Sequence, residues 1–139
     1  MTSTRIPGIV RISFIDCSTL PPNIMFDALS GNTVCVVAPH TDIRFFGEAK
    51  LVCDGSMVNG QRQEKSTLTF MTADPMPEGV HLAFVATCAN GRQYIIGARE
   101  GRFPVIGYSE TTGTRSGDRA VRTYKITHLA QKSMLPCVL

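Results

Sequence analysis

Along most of this chain, hydrophobic and polar residues alternate with a period of two. In "GIVRISFID" (residues 8–16), Val10, Ile12 and Phe14 fall on one face and Arg11 and Ser13 on the other. A half-buried β-strand has this pattern, because successive side chains leave opposite faces of a sheet. "CSTLPPN" ends the strand, since Pro21 and Pro22 lack the N–H groups that a ladder needs. "PPNIMFDALSGN" predicts one short helix, with Asn23 as its cap, Ile24 and Ala28 on one side, and Gly31 at its end. "TVCVVA" (33–38) reads as a short buried strand closed by Pro39.

The pattern then repeats with turn signals between runs. "DIRFFGEAKLVCDG" (42–55) alternates loosely and reads as one bent strand or as two, broken near Gly47. Asn59-Gly60 predicts a two-residue hairpin turn, because both central positions of a type I′ turn need positive φ. "QEKSTLTFMTA" (63–73) returns with Leu68 and Phe70 inward and Thr67 and Thr69 outward. The clearest hairpin is "VHLAFVATCANGRQYIIGA" (80–98): Leu82, Phe84 and Ala86 alternate, Asn90-Gly91 turns, and Tyr94 and Ile96 alternate back. "DRAVRTYKITHLA" (118–130) puts Tyr124 and Ile126 on one side and Val121 and Thr123 on the other. The tail "QKSMLPCVL" (131–139) is apolar and is expected to dock on the body or on a neighbour.

About seven or eight short strands with turns every eight to twelve residues predict an all-β fold, an antiparallel β-sandwich or small barrel with one short helix. A length of 139 residues fits a single domain, 1–139. No long helices alternate with the strands, which argues against a parallel α/β sheet.

One stretch breaks the pattern. "REGRFPVIGYSETTGTRSGDR" (99–119) shows no such alternation. Loops of this length inside a compact domain are uncommon and usually functional or disordered. Its first part has an apolar stem, Phe103, Val105, Ile106 and Tyr108, which needs a surface to cover. Its second part is small, polar and rich in Gly and Thr. An apolar stem with an arginine-bearing tip predicts a protruding arm that grips a neighbouring subunit. Ordering such an arm costs about 1–2 kcal/mol per residue, so only a sizeable interface offsets it.

Charge sharpens this picture. Residues 1–91 carry six basic and eight acidic groups, net −2, whereas 92–139 carry eight and three, net +5. The basic excess therefore sits with the arm, where it suits an acidic protein surface or nucleic acid. A single-strand nucleic-acid binder is the alternative reading, since Arg92, Tyr94, Arg99, Arg102, Phe103 and Tyr108 interleave basic and aromatic groups.

Candidate chemistry is sparse. "TTGTRSGDR" lacks the Gly-Lys-Ser/Thr of a phosphate-binding loop. There is no Gly-x-Ser-x-Gly elbow. The five cysteines (Cys17, Cys35, Cys53, Cys88, Cys137) show no Cys-x-x-Cys pair, so no metal site and no cofactor are expected, and they read as reduced core thiols. A cysteine-dependent enzyme would need His81 and His128 to meet on adjacent strands near Cys88. No catalytic residue is assigned, and a non-enzyme is expected. No apolar run approaches the ~20 residues of a membrane span. The chain opens without a basic segment followed by an apolar one, so no signal peptide is expected.

The segments "LTFMTADPMPEG", "AFVATCANGRQYIIGAREGRFP" and "RTYKITHLAQKSMLPC" resemble small all-β structural proteins of tailed bacteriophages and prophages, the tail, neck and baseplate subunits. The resemblance implies a virion component assembled in the host cytoplasm, with ring or tube symmetry, homo-oligomeric contacts and other virion subunits as partners. It also implies no cofactor, and contacts made through arms and termini. On that resemblance, Arg102, Phe103, Tyr108, Arg115 and Arg119 are assigned to partner contact.

Overall fold

Two twisted sheets face one another across a shared apolar core in a computed structural model of the chain. The structure describes residues 2–6, 8–20, 34–35, 40–73, 76–77, 79–97, 103–111, 121–130 and 135–138. Its strands are β1 (Thr2–Ile6), β2 (Ile9–Asp16), β3 (Val34–Cys35), β4 (Thr41–Ile43), β5 (Phe45–Val58), β6 (Gln61–Thr72), β7 (Leu82–Cys88), β8 (Gln93–Ile96), β9 (Val105–Thr111), β10 (Val121–Ala130) and β11 (Leu135–Val138). Sheet A has the order β1-β5-β6-β10-β9, and sheet B the order β3-β11-β8-β7-β2-β4. All pairs are antiparallel except β11 with β3. Of the two architectures the alternation allowed, the fold is the sandwich.

Register explains which residues are buried. On sheet A, Leu51, Leu68, Ile126 and Ile106 form one inward row across β5, β6, β10 and β9. The neighbouring row is Phe70, Tyr124 and Tyr108. Ile12, Phe84, Ala86, Cys88 and Ile96 of sheet B pack onto these rows. The second face of sheet B is apolar as well: Ile15, Ala83, Val85, Ile95 and Cys137 form a smaller cluster with Cys17, Leu20 and the half-buried Phe103. Strand β7 is thus buried on both faces, which is why it reads as a nearly continuous apolar run.

Several local expectations hold. Asn59 and Gly60 have φ of 51° and 79°, the pair of positive angles that a type I′ turn requires. Leu68, Phe70, Tyr124 and Ile126 are all buried. Other details differ. Val10 is exposed, not inward, because the β2–β7 register shifts between Ile9 and Arg11. That bulge turns Ile9 into the core in its place. The 42–55 run is two strands broken at Arg44, and the expected irregularity at Gly47 is a register shift within β5. The β7–β8 connection spans the four residues 89–92, with Gly91 N–H donating to Cys88 O at 2.9 Å and Cys88 N–H to Arg92 O at 2.8 Å.

Strands number eleven among the described residues, where the pattern resolves seven or eight. The additions are short or edge strands whose pairing comes from neighbours rather than from their own alternation. A one-turn 3-10 helix over Cys17–Thr19 follows β2, capped by Asp16, whose carboxylate accepts Ser18 N–H at 2.9 Å. The helix expected at 23–31 lies outside the described residues.

Candidate functional site

The stretch expected to be a loop supplies the candidate site. Residues 105–111 are not loop but β9, an edge strand of sheet A paired with β10 from Val121↔Thr111 to Thr127↔Val105. Among the described residues nothing pairs with its other edge. Val105 and Tyr108 are 69% and 58% exposed. Ile106 points inward and packs on the core.

Tyr108 is the outer end of an aromatic row that begins deep in the sandwich. Phe84 of sheet B meets Phe70 at 6.3 Å between ring centroids. Phe70 stacks on Tyr124 at 5.6 Å, and Tyr124 tilts against Tyr108 at 5.9 Å. Arg122 closes the row: its guanidinium lies 5.0 Å from the Tyr108 centroid, and Nη1 donates to Tyr124 Oη at 3.3 Å. A cation over an aromatic face is attracted by the ring quadrupole, so Arg122 holds Tyr108 in place while leaving it open to solvent. The row is thus a strip of core that surfaces at the β9 edge.

Of the other residues assigned to partner contact, Phe103 lies elsewhere. Phe103 covers the second face of sheet B, where its ring stacks on His81 at 3.8 Å and 8°. It is an internal anchor, pinning the chain as it crosses from β8 in sheet B to β9 in sheet A. Gly97 makes that crossing possible: a Cβ there would lie 2.6 Å from Ala83 Cβ. Arg102, Arg115 and Arg119 lie outside the described residues. The C-terminal segment docks on its own body: Leu135–Val138 is β11, between β8 and β3, with Cys137 buried. The aromatics expected to interleave with basic groups lie apart. Tyr94 packs half-buried against the main core from sheet B, Phe103 lies on that sheet's other face, and Tyr108 lies on sheet A.

Sequence reasoning missed Arg122 and Tyr124 as site residues, although their two-residue spacing on a strand places them on one face. It also missed a polar cluster at the opposite edge of the molecule. There, Ser13 Oγ donates to Asp42 Oδ1 at 2.6 Å, with Arg11 Nε at 3.9 Å and His40 Nε2 at 4.0 Å from the same carboxylate. The serine hydroxyl donates to the carboxylate and not to an imidazole, which differs from the serine–histidine hydrogen bond of a catalytic triad.

Two further arrangements bear on catalysis. His81 precedes β7 in sheet B, whereas His128 lies on β10 in sheet A, so the two do not meet on adjacent strands. Cys88 is buried in the core, and burial raises its thiol pKa, which disfavours the nucleophilic thiolate. Register also aligns Cys53, Ser66 and His128 in one inward row, but Ser66 and His128 are 0% and 1% exposed, which leaves a substrate no access. Cys17, Cys53, Cys88 and Cys137 are buried; the side chain of Cys35 lies outside the described ones. No group of metal-ligating side chains occurs among the described residues. No helix of the described residues is long and apolar enough to cross a membrane.

No protein-family model, curated protein or solved structure matches this chain.

Proposed function

We propose that this chain is a non-enzymatic structural subunit that assembles through the β9 edge of sheet A. We extend the proposal to the resemblance in the sequence: a virion component of a tailed phage or prophage, in the tail, neck or baseplate, which meets copies of itself and neighbouring subunits. One observation carries the reading. The strand that ends sheet A is uncharged over 105–109, exposes Tyr108 at the end of an apolar row and exposes Val105 on the sheet's outer face. An open edge of this kind is a template for another strand, and proteins that stay monomeric blunt such edges with charge, proline or brevity.

Sedimentation velocity across a wide concentration range tests it. The wild-type chain is expected to self-associate, and Val105→Lys to remain monomeric and folded. A wild-type monomer at every concentration would overturn the self-assembly reading.

The rival reading, a single-strand nucleic-acid binder, draws on one feature: an exposed Tyr108 beside Arg122. It requires binding of a labelled oligonucleotide that weakens steeply with salt, because bound phosphates release counterions. Our reading predicts no binding even at low salt.

A further inference from the structure

We infer that two copies join edge to edge about a two-fold axis through Gly107, β9 against β9, so that two five-stranded sheets become one continuous sheet. This rests on the assembly reading above and names its geometry. In antiparallel pairing centred on Gly107, Ile106 of each copy faces Tyr108 of the other, and Val105 faces Ser109. Both inner faces then lie on the same side. The inward row Phe70–Tyr124–Tyr108 of one copy runs on into Ile106–Ile126–Leu68 of the next. The exposed end of each apolar row is covered by the other's, and aromatic–β-branched pairs of this kind are favourable across strands.

Other registers fail on the same residues. An axis at Tyr108 sets Ile106 against Glu110; an axis at Ile106 sets Tyr108 against Pro104, which has no N–H to donate. Gly107 also suits the axis, since the residue there faces its own twin and glycine leaves that contact clear. Lys125 flanks Gly107 on β10. Strand spacing places the two Lys125 residues about 14 Å apart across the axis. That exceeds the screening length of roughly 10 Å at 0.1 M salt, so their repulsion is largely lost.

Gly107→Cys tests the register directly. Among the described residues a Cβ at this position meets only Lys125 O, at 3.7 Å, an ordinary contact, so the variant keeps the fold. Directly opposed residues on antiparallel strands have Cα atoms about 4.5–5.5 Å apart, within reach of a disulfide. Mild oxidation by air-equilibrated copper-phenanthroline is expected to give a dimer on a non-reducing gel, reversed by dithiothreitol. Ser109→Cys is the control: its twin lies roughly 14 Å away along the strand, too far to bridge. Combining it with Val105→Cys restores the cross-link. Sedimentation of the wild-type chain accompanies the gel. If that chain associates but Gly107→Cys links no faster than Ser109→Cys, the two-fold pairing is overturned and the assembly reading stands. If it stays monomeric at every concentration, both are overturned.

Discussion

The two sheets end very differently at β4 and at β9. The β4 edge is three residues long and carries Asp42, which accepts the Ser13 hydroxyl and lies beside Arg11 and His40. The β9 edge is seven residues long and carries one acidic residue, Glu110, near its end. A short edge with inward-tied charges offers an incoming strand little backbone and a desolvation cost. A longer edge, uncharged over 105–109 and beside an unfinished apolar row, offers the reverse. The difference supports the proposal that the chain assembles through sheet A, with the charged cluster on sheet B serving stability.

That division can be broken most forcefully from inside. Tyr124 is the buried link between Phe70 and Tyr108. Tyr124→Ala should cost about 3–5 kcal/mol, the usual range for removing a buried aromatic ring, and loosen β9 before the rest of sheet A. Urea denaturation measures the first effect and amide exchange the second. If β9 stays as protected as β5, the row does not support the edge.

The charged edge gives the next largest effect. Asp42→Ala leaves the buried Ser13 hydroxyl without this acceptor, which should cost about 1–2 kcal/mol. It should leave association unchanged. Val105→Lys should do the opposite, shifting stability by less than about 0.5 kcal/mol, as exposed substitutions do, while abolishing association. A shared phenotype would show that the two edges are not separate.

Alkaline pH probes the interior that both edges share. Burial pushes the Cys137 thiol up to about 12 from an ordinary 9.0. A raised folded value means that the folded state holds this proton more tightly. The stability it contributes is full below 9.0 and lost as pH rises to about 12. Alkylation at pH 9 should therefore spare Cys137 in the folded chain and modify it in urea; equal labelling would show that β11 is undocked.

The smallest effect is at Asp16. The Ser18 main-chain N–H holds its carboxyl below 3.8, helped by the Ser18 hydroxyl. Its contribution to stability is present above 3.8 and disappears as pH falls through the lower folded value. NMR titration should show a midpoint below 3.8 that Ser18→Ala raises only in part, because the main-chain donor remains.

Much of the fold was legible because two-residue alternation survives wherever a strand has one wet face. Leu68 and Phe70 against Thr67 and Thr69, and Tyr124 and Ile126 against Thr123, are such cases. It fails where burial does not follow period two. At Val10 a bulge shifts the phase, and β9 and β11 owe their strand geometry to β10 and β8 rather than to their own pattern. The site was half legible for the same reason. The apolar stem of residues 103–108 was visible, but its composition does not distinguish an anchor from a contact. Only register separates Phe103, stacked inward on His81, from Tyr108, left open at an edge. Arg122 escaped notice because its role depends on Tyr108, fourteen residues earlier and one strand away.

The most direct test of an adhesive β9 edge is amide hydrogen exchange at low and high protein concentration. The alternate amides of 105–109 that point away from β10 should exchange slowly at high concentration and lose protection on dilution, while those of β4 stay unchanged throughout. Identical exchange of 105–109 at both concentrations would contradict the account.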